Sequence, residues 1–323
     1  MNKAMEKVKG KYGDIPLTYV QMFGDLFCDL RVHPQWSVPE LAVVSSAVCG
    51  AFITKVQNPS HPISTAEIRK EAIDSVEAGA TSVHLHVRDE KTGLSVGNLK
   101  AYHEIVDPIK KKYGNKIVVD GCCVFGKTFE QIVAPITEGL FEVSPVNPVA
   151  GYIGDTVRYV PIKLMQASTE YFQEKGVKVQ VSIHDSGSVD NAKRFLVNTG
   201  ILKKPYYWII LPALPGILHM PSAKAMIESM MLIVNRLMEI DDNCIIMVCN
   251  AGRPAIYLTV LALLMGLHVR VGMEDTIWRY PHKEDRMKSN GQSVKEACDI
   301  AKLLGRRVAT ADEYRKLMGI KKK

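Results

Sequence analysis

The chain has 323 residues, 47% of them hydrophobic and 23% charged, a balance that excludes a disordered or fibrous protein and leaves room for a sizeable core. Its net charge of +7 gathers only at the two ends, in Lys3 to Lys11 and Lys321 to Lys323, so no nucleic-acid-binding stripe is indicated, and the mild excess favours a small anionic substrate. Seven cysteines, an odd number, do not make a secreted disulfide framework; without an apolar leader or a membrane-length apolar run, a reduced, soluble, cytoplasmic protein is expected.

Residues 1–40 stand outside any repeat. Tyr19 to Leu30, with Pro34 and Trp36, reads as an N-terminal extension that packs on the rest of the chain or on a neighbouring subunit. From residue 41 onward, short apolar runs alternate with longer amphipathic ones. The runs are Leu41 to Ala47, Ser82 to Val87, Ile117 to Asp120, Phe141 to Ser144, Val177 to Ile183, Tyr207 to Leu211, Cys244 to Val248 and Val269 to Met273. They are short and rich in valine and isoleucine, as parallel strands buried on both faces are. Helical start signals lie between them: Ser64-Thr-Ala-Glu67, Ser293-Val-Lys-Glu296 and Thr310-Ala-Asp-Glu313 each have capping-box spacing, and Gly319 is placed to stop the last helix. Strand then helix, eight times, predicts one α/β domain over residues 41–323, a (β/α)8 TIM barrel.

In such barrels the chemistry sits at the carboxyl ends of the strands. The second run ends in His84-Leu-His86, and residues two apart on a strand face the same way, so both imidazoles project together. In Arg270-Val-Gly-Met-Glu274-Asp275 the same parity puts Arg270, Gly272 and Glu274 on one face. Two histidines and one carboxylate, with a fourth position open, suit a catalytic zinc. Two core histidines bonded to backbone carbonyls are the bland alternative, but Glu274 and Asp275 after an apolar strand ask for a cation, because a buried carboxylate is costly alone. Other residues at strand ends are Ser144, the stretch His184-Asp185-Ser186-Gly187, and Gly252-Arg253-Pro254, which opens a helix where free amides favour an anion. Cys122 and Cys123 point to opposite faces, so at most one lines the barrel, and small buried residues are the simpler account of both.

Ala78-Gly-Ala-Thr-Ser-Val-His84-Leu-His86-Val-Arg-Asp and Gly266-Leu-His-Val-Arg270-Val-Gly-Met-Glu274-Asp275 resemble the β-keto acid cleavage enzymes, whose type member is the 3-keto-5-aminohexanoate cleavage enzyme. The similarity runs over about residues 41 to 320 and includes Pro62-Ile-Ser-Thr-Ala-Glu-Ile and Gly305-Arg-Arg-Val-Ala-Thr. The resemblance implies a zinc-dependent barrel, commonly a tetramer, that reacts a β-keto acid with acetyl-CoA to give acetoacetate and a new acyl-CoA. It implies that His84, His86 and Glu274 hold one zinc per subunit and that Arg270 and Asp275 are catalytic. Ser144 falls on a family threonine and Asp185 near a family acid; both are candidate substrate contacts, while Gly252 and Arg253 are candidates for CoA phosphates.

Two positions depart from the family. Gly121 stands where relatives usually carry a serine, and Phe52 stands where the aminohexanoate enzyme has a glutamate for the substrate amine. A keto acid with a different side chain, uncharged or apolar, is therefore expected. One rival reading is a metal-dependent amidohydrolase, which would recruit His184 and His219 as further ligands. A non-catalytic metal or acyl-CoA binding relative, suggested by Gly121, is the other.

Overall fold

Valine and isoleucine dominate the eight short runs because each strand is covered on both faces, inside by barrel side chains and outside by helices. The computed structural model describes residues 2–13, 35–123, 125–153, 155–213, 217–218 and 220–320. The barrel strands are β1 (Val44–Ala47), β2 (Ser82–Leu85), β3 (Val118–Gly121), β4 (Val143–Val146), β5 (Lys178–Ile183), β6 (Tyr207–Ile210), β7 (Ile245–Cys249) and β8 (His268–Val271). All pair in parallel in chain order, and β8 closes on β1 through Val269 opposite Val44, giving a (β/α)8 TIM barrel. The helices outside it are α1 (Thr65–Glu77), α2 (Leu99–Tyr113), α3 (Phe129–Thr137), α4 (Ile162–Glu174), α5 (Ser186–Ala192), α6 (Ala223–Met238), α7 (Ala255–Leu264) and α8 (Asn290–Leu303), and a last helix, α9 (Ala311–Met318), follows them.

Local chemistry sets the helix ends. Ser64 and Glu67 form a reciprocal capping box on α1, Thr310 and Glu313 form another on α9, and Gly319 ends α9 in the left-handed conformation. The start expected at Ser293 is corrected: Ser289 caps α8 by accepting from the Gln292 amide, and Ser293 lies inside the helix. Ser289-Asn-Gly-Gln292 has the same spacing four residues earlier, and it captures the free amides first.

Ile68 and Ala72 of α1, Ile105 and Ile109 of α2, and Leu258 and Ala262 of α7 pack fully buried against the outer faces of the strands. Burying each large aliphatic side chain contributes about 1.5–3 kcal/mol. The amino end of the barrel is plugged by α9: Tyr314 and Met318 join Val118, Val143, Tyr207 and Ile245 in a separate apolar cluster, and the Tyr314 and Tyr207 hydroxyls lie 2.9 Å apart. The carboxyl end is left open for a site.

Between β4 and α4 the chain makes an antiparallel hairpin, Ala150–Ile153 with Thr156–Tyr159, for which the sequence carried no signal. The chain divides into two compact units, Met1–Val38 and Pro39–Lys323. In the first, the helix Lys3–Tyr12 is capped by the Asn2 side chain and is exposed throughout. Trp36 is also exposed, whereas the segment 19–30 and Pro34, on which the packing expectation for residues 1–40 rested, lie outside the described residues. No helix among the described residues is long and apolar enough to cross a membrane.

Candidate metal centre

His84 sits in β2 and His86 one residue past its end, so the pleat carries both imidazoles inward, with their Nε2 atoms 3.2 Å apart. Glu274 reaches them by another route than pleat parity. The last strand ends at Val271 rather than Met273, and Gly272 turns the chain at φ +140°, a conformation that L side chains rarely adopt. A Cβ on Gly272 would also lie 2.2 Å from the Ala47 carbonyl. The turn swings Glu274 back over the barrel mouth, where Oε1 lies 3.5 Å from His84 Nε2 and 3.4 Å from His86 Nε2.

One ligand atom from each of His84, His86 and Glu274 falls within 4.8 Å of the others. Glu274 Oε2 is buried with no partner among the described residues, the orphaned acceptor that a cation would satisfy. Burial works against the Glu274 carboxylate, but His84, His86 and Arg270 outweigh it and hold its pKa below the ordinary range. Burial also opposes charge on His86, yet Glu274 beside it pushes that imidazole up to about 10. Glu274 is thus a negative focus that favours positive charge at the two imidazoles, a place a metal ion takes in exchange for protons, and the N, N, O donor set of the three groups fits zinc.

The groups behind the triad orient it. Asp120 Oδ2, at the end of β3, lies 2.8 Å from His84 Nδ1, which turns Nε2 toward the cavity. Ser95 Oγ is 3.5 Å from His86 Nδ1. Arg88, buried, donates to the carbonyls of Cys49, Gly50 and Ile53, and so ties down the loop after β1 that carries Phe52. None of Asp120, Ser95 and Arg88 was singled out from the sequence; a buried acid at a strand end was the only available signal, and it belonged to Asp120.

Arg270 and Asp275 form a buried two-point pair, Nε to Oδ2 at 3.0 Å and Nη2 to Oδ1 at 2.6 Å, and Arg270 Nη2 lies 3.3 Å from Glu274 Oε1. Burial pushes the Asp275 carboxyl above its ordinary range; Arg270 pulls the other way without cancelling it. A buried carboxylate with raised basicity beside a cation site can accept a proton from carbon.

The structure brings His84, His86, Glu274, Arg270, Asp275 and Phe52 around one cavity of about 70 Å³. Ser144 is fully buried below it and donates to the Gly121 carbonyl at 2.8 Å. Gly121 faces the Phe141 ring, which an added Cβ would meet at 2.2 Å. Asp185 caps α5, accepting from the Ser188 amide at 2.7 Å and the Ser188 hydroxyl at 2.8 Å. Gly252 and Arg253 precede α7; Arg253 pairs with Glu284 at 2.6 Å and stacks on Trp278, in a half-exposed position where such a pair is weak. Burial pushes the Cys123 thiol above its ordinary range, in keeping with a packing role. His219 lies outside the described residues, while His184 lines the cavity.

A second, larger cavity of about 360 Å³ adjoins the first; the two share Phe52, Phe125, Pro145, Asn147, Ile153 and Arg158 as a common wall. Its far side is apolar, formed by Val157, Leu164, Met165 and Phe172.

A family model described as beta-keto acid cleavage enzyme matches residues 42–320. A 3-keto-5-aminohexanoate cleavage enzyme of Fusobacterium nucleatum is 30% identical over 288 residues, covering 88% of this chain and 99% of that protein. A 3-dehydrocarnitine:acetyl-CoA trimethylamine transferase of Rhizobium meliloti is 24% identical, covering 87% and 97%. Among solved structures, the apo structure of ObcA superposes with a TM-score of 0.69 at 20% identity, over 81% of this chain and 66% of that one, a likeness of fold.

Proposed function

The chain belongs to the beta-keto acid cleavage enzyme family, and from that premise we propose that it condenses a β-keto acid with acetyl-CoA, releasing acetoacetate and a new acyl-CoA. The observation that carries this reading is the meeting of the His84, His86, Glu274 triad with the Arg270–Asp275 pair in one buried cavity. Bound by the triad, zinc would supply Lewis-acid polarisation of the ketone and carboxylate oxygens of the keto acid. Asp275 takes a proton from the carbon between those two groups, and Arg270 fixes the orientation of its carboxylate through two hydrogen bonds. That carbon then bonds to the acetyl carbonyl as the thioester C–S bond breaks and frees the CoA thiolate. The thiolate adds to the former ketone carbon, the bond between that carbon and the acetylated carbon breaks to give the new acyl-CoA, and the departing carbanion takes back the proton held by Asp275 and leaves as acetoacetate.

Burial of His84, His86 and Asp275 keeps water from competing for the reactive carbon. Gly252 and Arg253 are the proposed anchor for a CoA phosphate, since the Arg253–Glu284 pair is exposed and exchangeable. Ser144 acts from below by fixing the Gly121 carbonyl, and Asp185 acts by capping the helix that follows β5; both support the cavity wall. We further propose that the substrate is not 3-keto-5-aminohexanoate. Phe52 occupies the place of an amine-binding carboxylate, and Arg158 on the same wall repels an ammonium group.

The test is to incubate zinc-loaded protein and acetyl-CoA with a panel of β-keto acids and to measure acetoacetate. Absence of acetoacetate from every acid would overturn the proposal, and hydrolysis without CoA would favour the amidohydrolase reading. Replacing Arg253 by Ala is expected to raise KM for acetyl-CoA several-fold.

A further inference from the structure

Among the polar side chains that line the site cavity, Arg158 and His184 take no part in this chemistry. Arg158, on the second strand of the hairpin, lies where the two cavities meet, with its guanidinium 5.8 Å from the Phe52 ring and 6.0 Å from the Phe125 ring. The rings orient it through cation–π contact and leave its donor edges free. Its side chain makes no hydrogen bond and no ion pair among the described residues. A planar guanidinium in that state matches a carboxylate at two points.

His184, at the end of β5, is buried against the same cavity, and neither ring nitrogen has a partner among the described residues. Burial, reinforced by Arg158, pushes its pKa down to about 4, so the imidazole is neutral and offers one N–H donor. Buried nitrogens left unpaired are costly, and a ligand oxygen would satisfy the donor. The keto acid's own carboxylate is accounted for at the triad, so these two side chains form a second polar pole for another group.

Building on the cleavage reading above, we propose that the substrate is a β-keto diacid whose distal carboxylate is received by Arg158 and His184. The charge of that group departs from the uncharged or apolar side chain expected from Phe52 alone, while it agrees with the exclusion of an amine. The diacid spans one cavity, with its reacting carbon beside Asp275 and its far carboxylate at the shared wall.

The experiment compares kcat/KM for two keto diacids, with one and two methylenes between ketone and distal carboxylate, against monoacids of the same shape in which isopropyl replaces that carboxylate. At least one diacid is expected to exceed its monoacid by about 10- to 100-fold, the range of a hydrogen bond to a charged group. Arg158→Met and His184→Phe should each shrink that ratio about tenfold or more, and Arg158→Lys should restore part of it by keeping the charge. Ratios near one for wild-type protein, or a ratio unmoved in Arg158→Met, would overturn the proposal while leaving the cleavage reaction standing. Equal losses for both acids with a raised KM for acetyl-CoA would assign Arg158 to CoA and overturn it too. If neither kind of acid yields acetoacetate, the cleavage reading itself falls, and this one with it.

Discussion

His84 and Asp120 are register partners on adjacent parallel strands, and the Asp120 carboxylate oxygen lies 2.8 Å from His84 Nδ1. A carboxylate behind a ligating imidazole fixes its tautomer and raises its basicity. Asp120→Asn is expected to weaken zinc binding by about 10- to 100-fold with the fold intact. Competition with a chelating dye measures this, and an unchanged affinity would remove Asp120 from the metal site.

Removal of a ligand has a larger effect than removal of its support. His84→Ala and Glu274→Ala should each lose bound zinc together with turnover, because the remaining two donors cannot close the site. Full zinc content in both purified variants would refute the ligand assignment.

Asp275→Asn separates the base from the metal. The amide cannot take a proton, while the space and part of the Arg270 contact remain, so turnover should drop about 10²- to 10⁴-fold with zinc retained. Rates near those of wild type in this variant would exclude Asp275 as the base.

Gly121→Ser, which installs the residue usual in the family, should destabilise the protein by about 1–3 kcal/mol because its Cβ collides with the Phe141 ring. Combining it with Phe141→Leu should recover part of that loss. Denaturant unfolding of the four members of the cycle checks the coupling, and strict additivity would show that the ring is not the obstacle.

Acid sensitivity has an identifiable contributor in His268. Burial, with Arg306 beside it, pushes this imidazole down to about 3, and its Nδ1 accepts from the Val43 amide at 3.2 Å. The unfolded chain binds a proton near the ordinary 6.5, so the contribution to stability is complete above that pH and declines as pH falls toward 3. The decline is at most about 1.4 kcal/mol per pH unit. His268→Asn, which keeps an acceptor but cannot titrate, should flatten the stability profile between about pH 6 and 4. Parallel profiles for the two proteins would count against His268.

Features carried by local pattern were legible in the sequence. All eight barrel strands were, because a strand covered on both faces must be an apolar run, and Ser64 with Glu67 declares a helix start within four residues. The triad was legible as well, since parity pairs His84 with His86. What escaped depends on distance through space. Asp120 meets His84 only through strand register, and although Glu274 itself was named, its route through the turn at Gly272 was not, since strand parity does not carry it there. The hairpin Ala150–Tyr159 left no trace because both its strands are largely exposed, so neither shows the alternation that marks a half-buried strand. Arg158, the one guanidinium reaching the site from that hairpin, was hidden with it.

The residues proposed to make and break bonds hang from the barrel strands and from the turn after β8, whereas Phe52 and Arg158 hang from connecting segments. On the proposed chemistry, reactivity stays with the strands and that turn, while selectivity is shared between the connecting segments and His184 at the end of β5. The hairpin behaves as a cassette: grafting the corresponding segment of a relative in place of residues 150–159 would change which acids are accepted while His84, His86 and Glu274 keep their mutual geometry. New preferences in this barrel can thus arise by exchanging a surface ribbon, with no change to the strands that would bear the metal.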